Sequence, residues 1–146
     1  MSPPVGLRAP GLARRLACAI YELLILAALV LLATFPFLGV VGDATAGPRR
    51  HLLQLWVLVV AGAYLVTFWV RGGQTLAMKT WGLRLVRADG APVGPGRALH
   101  RYVLALLGLA ALGLGFAWAL VDRDGQFLHD RMAGTALVPA TGTSAR

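Results

Sequence analysis

"GLARRLACAIYELLILAALVLLATF", residues 11 to 35, decides the fold. Arg14 and Arg15 open it. An apolar run from Leu16 to Val41 follows, with Glu22 its only charge and Pro36 near its far end. A helix needs about 20 apolar residues to cross the hydrocarbon of a bilayer, so this stretch predicts a spanning helix with length to spare. The composition agrees. The chain is 58% hydrophobic and 14% charged, where ordinary soluble domains run at roughly 45–50% and about 25%. Mean hydropathy is +0.69. A soluble chain of 146 residues has too little core to hide that much apolar surface, so lipid is the expected solvent for most of it.

Two more apolar runs follow. Leu52 to Val70 carries no charge and has Trp56 and Trp69 near its ends, which suits the aromatic belts of a membrane interface. Tyr102 to Val121 is also uncharged but contains Gly108, Gly113 and Gly115. Ala44-Thr45-Ala46 matches a signal-peptide cleavage pattern. The apolar stretch before it, however, is longer than the usual core of about 7–15 residues, and two further runs follow. A retained span is therefore the reading.

The third run is the ambiguous element. By length it reads as a third span. Its small residues, with Ala111, Gly115 and Ala119 recurring every four positions, would let helices approach closely. Gly113 marks a place for a break between an entering and a returning leg. Orientation follows from the basic residues. If the third run returns to its own side, Arg8, Arg14, Arg15, Arg71, Lys79, Arg84, Arg87, Arg97, Arg101, Arg123, Arg131 and Arg146 share one face, and only Arg49 and Arg50 lie on the other. If it crosses, the imbalance shrinks, but the N-terminus stays on the basic side. Both arrangements predict a cytoplasmic N-terminus, and the re-entrant one obeys the rule better.

Residues 71–101 form a polar loop. Thr75 is a candidate N-cap for a short helix through Lys79. "LRLVRA" alternates like a strand with one wet face, and Asp89-Gly90 is a tight-turn dipeptide that predicts a hairpin returning through Val93. "TALVPA", from Thr135 to Ala140, is a third strand candidate. Its pairing with "LRLV" would require the tail and this loop to share a membrane face.

The chain has a net charge of +8 and a pI near 11.3. Its arginines flank apolar runs, a pattern for anionic lipid headgroups and not for nucleic acid. Cys18, the one cysteine, reads as a packing residue. Glu22 lies two turns beyond Arg15, about 10 Å along a helix axis. A carboxylate at the bilayer centre costs roughly 2.5–3.5 kcal/mol on insertion scales. Glu22 is nearer the edge, so its cost is lower, yet it needs a partner, and Arg15 is within reach. Near the C-terminus, Asp122 and Asp124 read as a solvated juxtamembrane turn. Asp130 sits in "FLHDRMAG" among Phe127, Leu128 and Met132, which predicts a partly buried helix from which it reaches an arginine of the first helix. His51, His100 and His129 are isolated in sequence. No nucleophile has a base beside it, and no phosphate loop or metal-ligand spacing occurs, so neither enzymatic activity nor a cofactor is expected.

These residues carry a resemblance to the RDD family of small bacterial membrane proteins. "RRLACAIYE" (residues 14–22), "GQTLAMKTWGLRLVRADG" (residues 73–90) and "LHDRMAGT" (residues 128–135) match its segments in order. The resemblance covers about residues 14 to 138. It implies a charge cluster of Arg15, Glu22 and Asp130, with Arg101, His129, Arg131, Thr75 and Lys79 as secondary candidates. Glu22 stands where the family has aspartate. The resemblance also implies the bacterial inner membrane and an involvement in transport.

The expected architecture is an all-α membrane protein. It has two transmembrane helices, a third membrane run that is a re-entrant hairpin or a span, and a small cytoplasmic β element. A flexible N-terminus (1–13), a membrane domain (14–138) and a disordered tail (139–146) are expected. Two functions compete. In one, ions or small ligands move through a relay of Glu22, Asp130, Arg15 and His129, in a homo-oligomer or larger complex that encloses a path. In the other, the protein is a structural or accessory subunit and the same charges form a clasp between the first helix and the tail. The bilayer is the expected partner in both.

Overall fold

Apolar side chains on every face leave a helix with nowhere to bury itself inside one short chain. That is the condition of α1 (Leu12–Val41) and α2 (Arg50–Gly72), the two helices long and apolar enough to cross a membrane. The computed structural model describes residues 10–111, 113–122 and 126–140. Most of the expected flexible N-terminus and tail, and Arg123 and Asp124, lie outside these residues. Within them, α1 begins at Leu12 and the last strand runs to Pro139, each slightly beyond the expected limits of the membrane domain. Ile20, Leu24, Leu31, Phe35 and Val40 point outward from α1, as a lipid-facing surface requires.

The two spans run antiparallel. Trp56 of α2 donates to the Ala33 carbonyl of α1 at 3.1 Å and stacks on Phe37 with ring centroids 5.3 Å apart. Trp69, near the other end of α2, is buried. Neither indole is a free belt residue as the sequence suggested; each holds two elements together.

α2 ends at Gly73, whose carbonyl accepts from Leu85 N at 2.6 Å. Thr75 then caps the short α3 (Leu76–Thr80), accepting from Met78 N at 3.3 Å. Strand β1 (Leu83–Arg87) follows, and the Asp89-Gly90 turn closes with Gly90 N donating to the Arg87 carbonyl at 2.8 Å. The expected returning strand through Val93 does not form. Pro92 and Pro95 flank Val93 and cannot donate to a ladder, and Val93 is buried in the core instead. The partner of β1 is β2 (Thr135–Pro139), antiparallel, with Leu83 opposite Pro139 and Arg87 opposite Thr135.

The third apolar run is split. α4 (Pro95–Ala110) begins with proline in its first turn, where a missing N–H costs nothing, and ends before Gly113, which adopts φ +76°. Then come α5 (Leu114–Ala117) and a 3-10 turn, Trp118–Leu120. The two legs are bent by 103°. They touch backbone to backbone: a Cβ placed on Gly115 would meet Gly108 Cα at 3.1 Å. α6 (Leu128–Ala133) leads into β2. Because β1 leaves from the end of α2 and β2 arrives from the end of the third run, their pairing ties both ends of that run to one side. The chain thus bends back on itself within this run.

A core of Met78, Leu83, Leu85, Ala98, Tyr102 and Leu137 forms at this sheet-bearing end. Its seam with α2 depends on Gly73, which sits at φ +65°, where a Cβ would lie 2.6 Å from the Leu85 carbonyl oxygen. Left-handed backbone costs a side chain roughly 1–2 kcal/mol, and the contact adds to this. Gly73→Ala should therefore lower the melting temperature of the detergent-solubilised protein, whereas Gly94→Ala, which meets open space, should leave it close to the parent.

Candidate functional site

Polar groups cluster where the helices meet the sheet. Arg101, two turns into α4, directs its guanidinium at Asp130 of α6. Its Nε and Nη2 both lie 2.6 Å from Asp130 Oδ1. The other face of the guanidinium lies on the Trp69 ring of α2, 4.2 Å from its centroid. Arg101 is 4% exposed and Asp130 1%. A charged hydrogen bond on one side and a cation–π contact on the other thus join α2, α4 and α6. The Asp130 carbonyl also accepts from Thr135 at 3.3 Å, which fixes the start of β2.

His129 lies beside this pair, with Nε2 3.8 Å from Asp130 Oδ1. It stacks on Phe127 and meets Phe116 edge-on. Its buried Nδ1 has no hydrogen-bond partner. Burial pushes its pKa down to about 4, against the pull of Asp130.

Glu22 has different neighbours. Thr75 donates a hydrogen bond to Glu22 Oε2. The same hydroxyl accepts from Met78 N, so its lone pair caps α3 while its proton faces the carboxylate. The Tyr64 phenol stands near the same carboxylate and accepts from Leu76 N at 3.3 Å. Glu22 Oε1 is buried with no hydrogen-bond partner.

Arg15 is 3% exposed. Its guanidinium sits over Phe127, 5.6 Å from the ring centroid, within the fields of Asp130 and Asp122. Its Nε has no partner.

The structure therefore divides the expected Arg15, Glu22 and Asp130 clasp into two. Asp130 is bound by Arg101, not by an arginine of the first helix. Glu22 is bound by Thr75, not by Arg15. The physical reason is register. The returning run brings α6 against the start of α4, and the end of α2 brings Thr75 level with Glu22. Among the secondary candidates, Arg101, His129 and Thr75 are drawn in. Lys79 is exposed, 6.0 Å from the Phe68 ring. Arg131 is bonded to Asp122. Asp122, expected to be solvated, has a side chain only 3% exposed and also accepts from Gln126 N at 3.0 Å. Sequence reasoning missed Trp69 and Tyr64 as site residues, and also Arg14. Arg14 Nε donates to the Trp81 carbonyl at 2.7 Å and ties α1 to the end of α3. Among the described residues no group of three His, Cys, Asp or Glu side chains is placed to hold a metal ion.

Residues 9–134 match the family model described as RDD family. The chain belongs to the RDD family. No curated protein and no solved structure matches it. The RDD motifs thus converge on this end of the molecule, and Arg15, Glu22, Arg101 and Asp130 occupy two adjoining polar sites on a membrane protein.

Two predictions follow from the Arg101–Asp130 pair and its neighbour. Removing one member of a buried ion pair costs about 3–5 kcal/mol because the other is stranded. Arg101→Met and Asp130→Asn should each lower the thermal stability in detergent strongly, and the double change Arg101→Met with Asp130→Leu should recover part of the loss. His129 has a folded pKa below its unfolded value, so the unfolded chain takes up a proton first as pH falls. The stability associated with His129 is present above pH 6.5 and is lost between about 6.5 and about 4. His129→Phe should flatten the pH dependence of melting across that window.

Proposed function

We propose that this RDD-family protein moves a proton or a small cation across the membrane by loading and unloading Glu22, and that it is not an enzyme. The observation that carries this reading is the carboxylate's lack of a basic partner in contact. Glu22 Oε2 is held by the Thr75 hydroxyl, the Tyr64 phenol stands beside the carboxylate, and no cation touches it. An ionised carboxylate at membrane depth is neutralised by a neighbouring cation, a proton or a bound ion. No cation touches it, and Arg101 acts on it only from a distance, which leaves a proton or a bound ion to complete the neutralisation. The nearby oxygens of Thr75 and Tyr64 suit a hard cation. Two spans and a returning loop are too few to enclose a path, so a homo-oligomer or a larger membrane complex completes it. The excess of basic residues on the sheet-bearing face supports an inner-membrane protein with its N-terminus and sheet in the cytoplasm. No nucleic acid is involved.

A second reading is favoured by a different observation. The Arg101–Asp130 pair is fully enclosed between Trp69 and α6, as a fastening would be. On this view the RDD protein is a scaffold or accessory subunit, and its charges serve only the fold.

Proteoliposomes separate the two. With a pH gradient imposed and sodium or potassium outside, the parent should carry flux, and Glu22→Gln should reduce it at least tenfold while melting near the parent temperature. Glu22→Asp should retain part of the flux. If the parent carries none, or if Glu22→Gln keeps the flux and loses only stability, the transport reading fails and the accessory one stands.

A further inference from the structure

We propose that a basic groove between the start of α4 and α6 seats the phosphate headgroup of an anionic phospholipid. The groove has a volume of about 550 Å³, and Gly96, Arg97, His100, Arg131, Met132 and Gly134 are among the residues that line it. Among the described residues, no carboxylate lines it. Two guanidinium groups are held in place from behind. Arg97 Nη1 donates to the carbonyls of Ala133 at 3.4 Å and Gly134 at 3.2 Å, and Arg131 is bonded to Asp122. Arg97 therefore presents an uncompensated charge with little rotamer freedom left to lose, while Arg131 is paired with Asp122 and keeps 40% of its side chain exposed. His100 is exposed beside them.

The choice of a lipid over a free anion comes from what continues below the groove. Gly96 and His100 belong to the same face of α4 as Leu99, Val103 and Leu107. Those three are 55%, 45% and 61% exposed. They form an unbroken apolar track, at four-residue spacing, that leads from the basic groove into the depth of the returning run. A charged head with an apolar strip beneath it matches the chemistry of a phospholipid lying along a helix. Basic pockets at the membrane surface between helices hold anionic headgroups in this way. The inference uses the membrane placement of α4 and does not depend on what Glu22 does.

Titration of purified protein in neutral detergent micelles tests it, with bound lipid counted by native mass spectrometry. Phosphatidylglycerol should bind saturably, with phosphatidylcholine at least tenfold weaker, and millimolar inorganic phosphate should not displace it. Each surface Lys or Arg adds about fivefold to affinity, so Arg131→Gln, made together with His100→Gln to remove the exposed imidazole's hydrogen-bonding groups, should weaken phosphatidylglycerol binding severalfold. Leu99→Ser with Val103→Ser should weaken it while leaving the basic residues intact. Because Arg131→Gln breaks the Arg131–Asp122 ion pair, melting of each variant is measured alongside, and Leu99→Ser with Val103→Ser serves as the arm that leaves every ion pair in place. Equal binding of the two lipids, competition by inorganic phosphate at the same concentration, or unchanged affinity in both folded variants would overturn the proposal.

Discussion

A guanidinium taken away from water must find a carboxylate, an aromatic face, or both. Arg101 finds both, in Asp130 and Trp69. Those three residues come from the second span, the entering leg of the third run and the helix that follows it. Their association can form only when the chain has doubled back. The neighbouring backbone agrees: β1 and β2 pair just beside them, and two extended segments, each too short to stand as a sheet in water, are covered by the same core. The ion pair and the sheet are two statements of one constraint, that the third run comes home.

That constraint also shapes the rest of the polar end. The returning run brings Phe127 under Arg15, burying a second guanidinium over an aromatic ring in the field of Asp130 and Asp122. It presses His129 against Phe116 and Phe127, which excludes water and holds the imidazole neutral. Two turns further along α1, Thr75 is fixed by its cap on α3 and so meets Glu22 at a set height. The two sites share α1, one turning around Arg15 and the other around Glu22, but they differ in chemistry. The first is closed by opposite charges. The second surrounds a carboxylate with hydroxyls and brings no cation into contact with it.

Much of this was legible in the sequence because hydropathy and turn chemistry act locally. The two long spans follow from run length, the cap at Thr75 from its place before a short amphipathic segment, and the break near Gly113 from glycine content. The pairing of "LRLV" with "TALV" was readable as a condition on topology. What was not legible was partner choice. An arginine two turns into α4 looks like any surface arginine, and nothing local marks it, in place of Arg15, as the donor to Asp130. Trp69 reads as a belt residue because aromatic residues at span ends usually are. Asp122 reads as solvated because juxtamembrane acids usually are. In each case a contact distant in sequence overrode a sound local expectation. The hairpin after Asp89-Gly90 failed for a local reason instead, the two prolines around Val93.

The return of the third run can be measured directly. In a Cys18→Ala background, which removes the chain's one thiol, single cysteines at Thr45, Asp89 and Ala140 report sidedness to a membrane-impermeant maleimide. Applied to right-side-out and inverted vesicles, the reagent should label Asp89→Cys and Ala140→Cys from one side and Thr45→Cys from the other. Labelling of Asp89→Cys and Ala140→Cys from opposite sides would mean that the run crosses the bilayer. It would also mean that the sheet and the Arg101–Asp130 pair do not exist in the membrane.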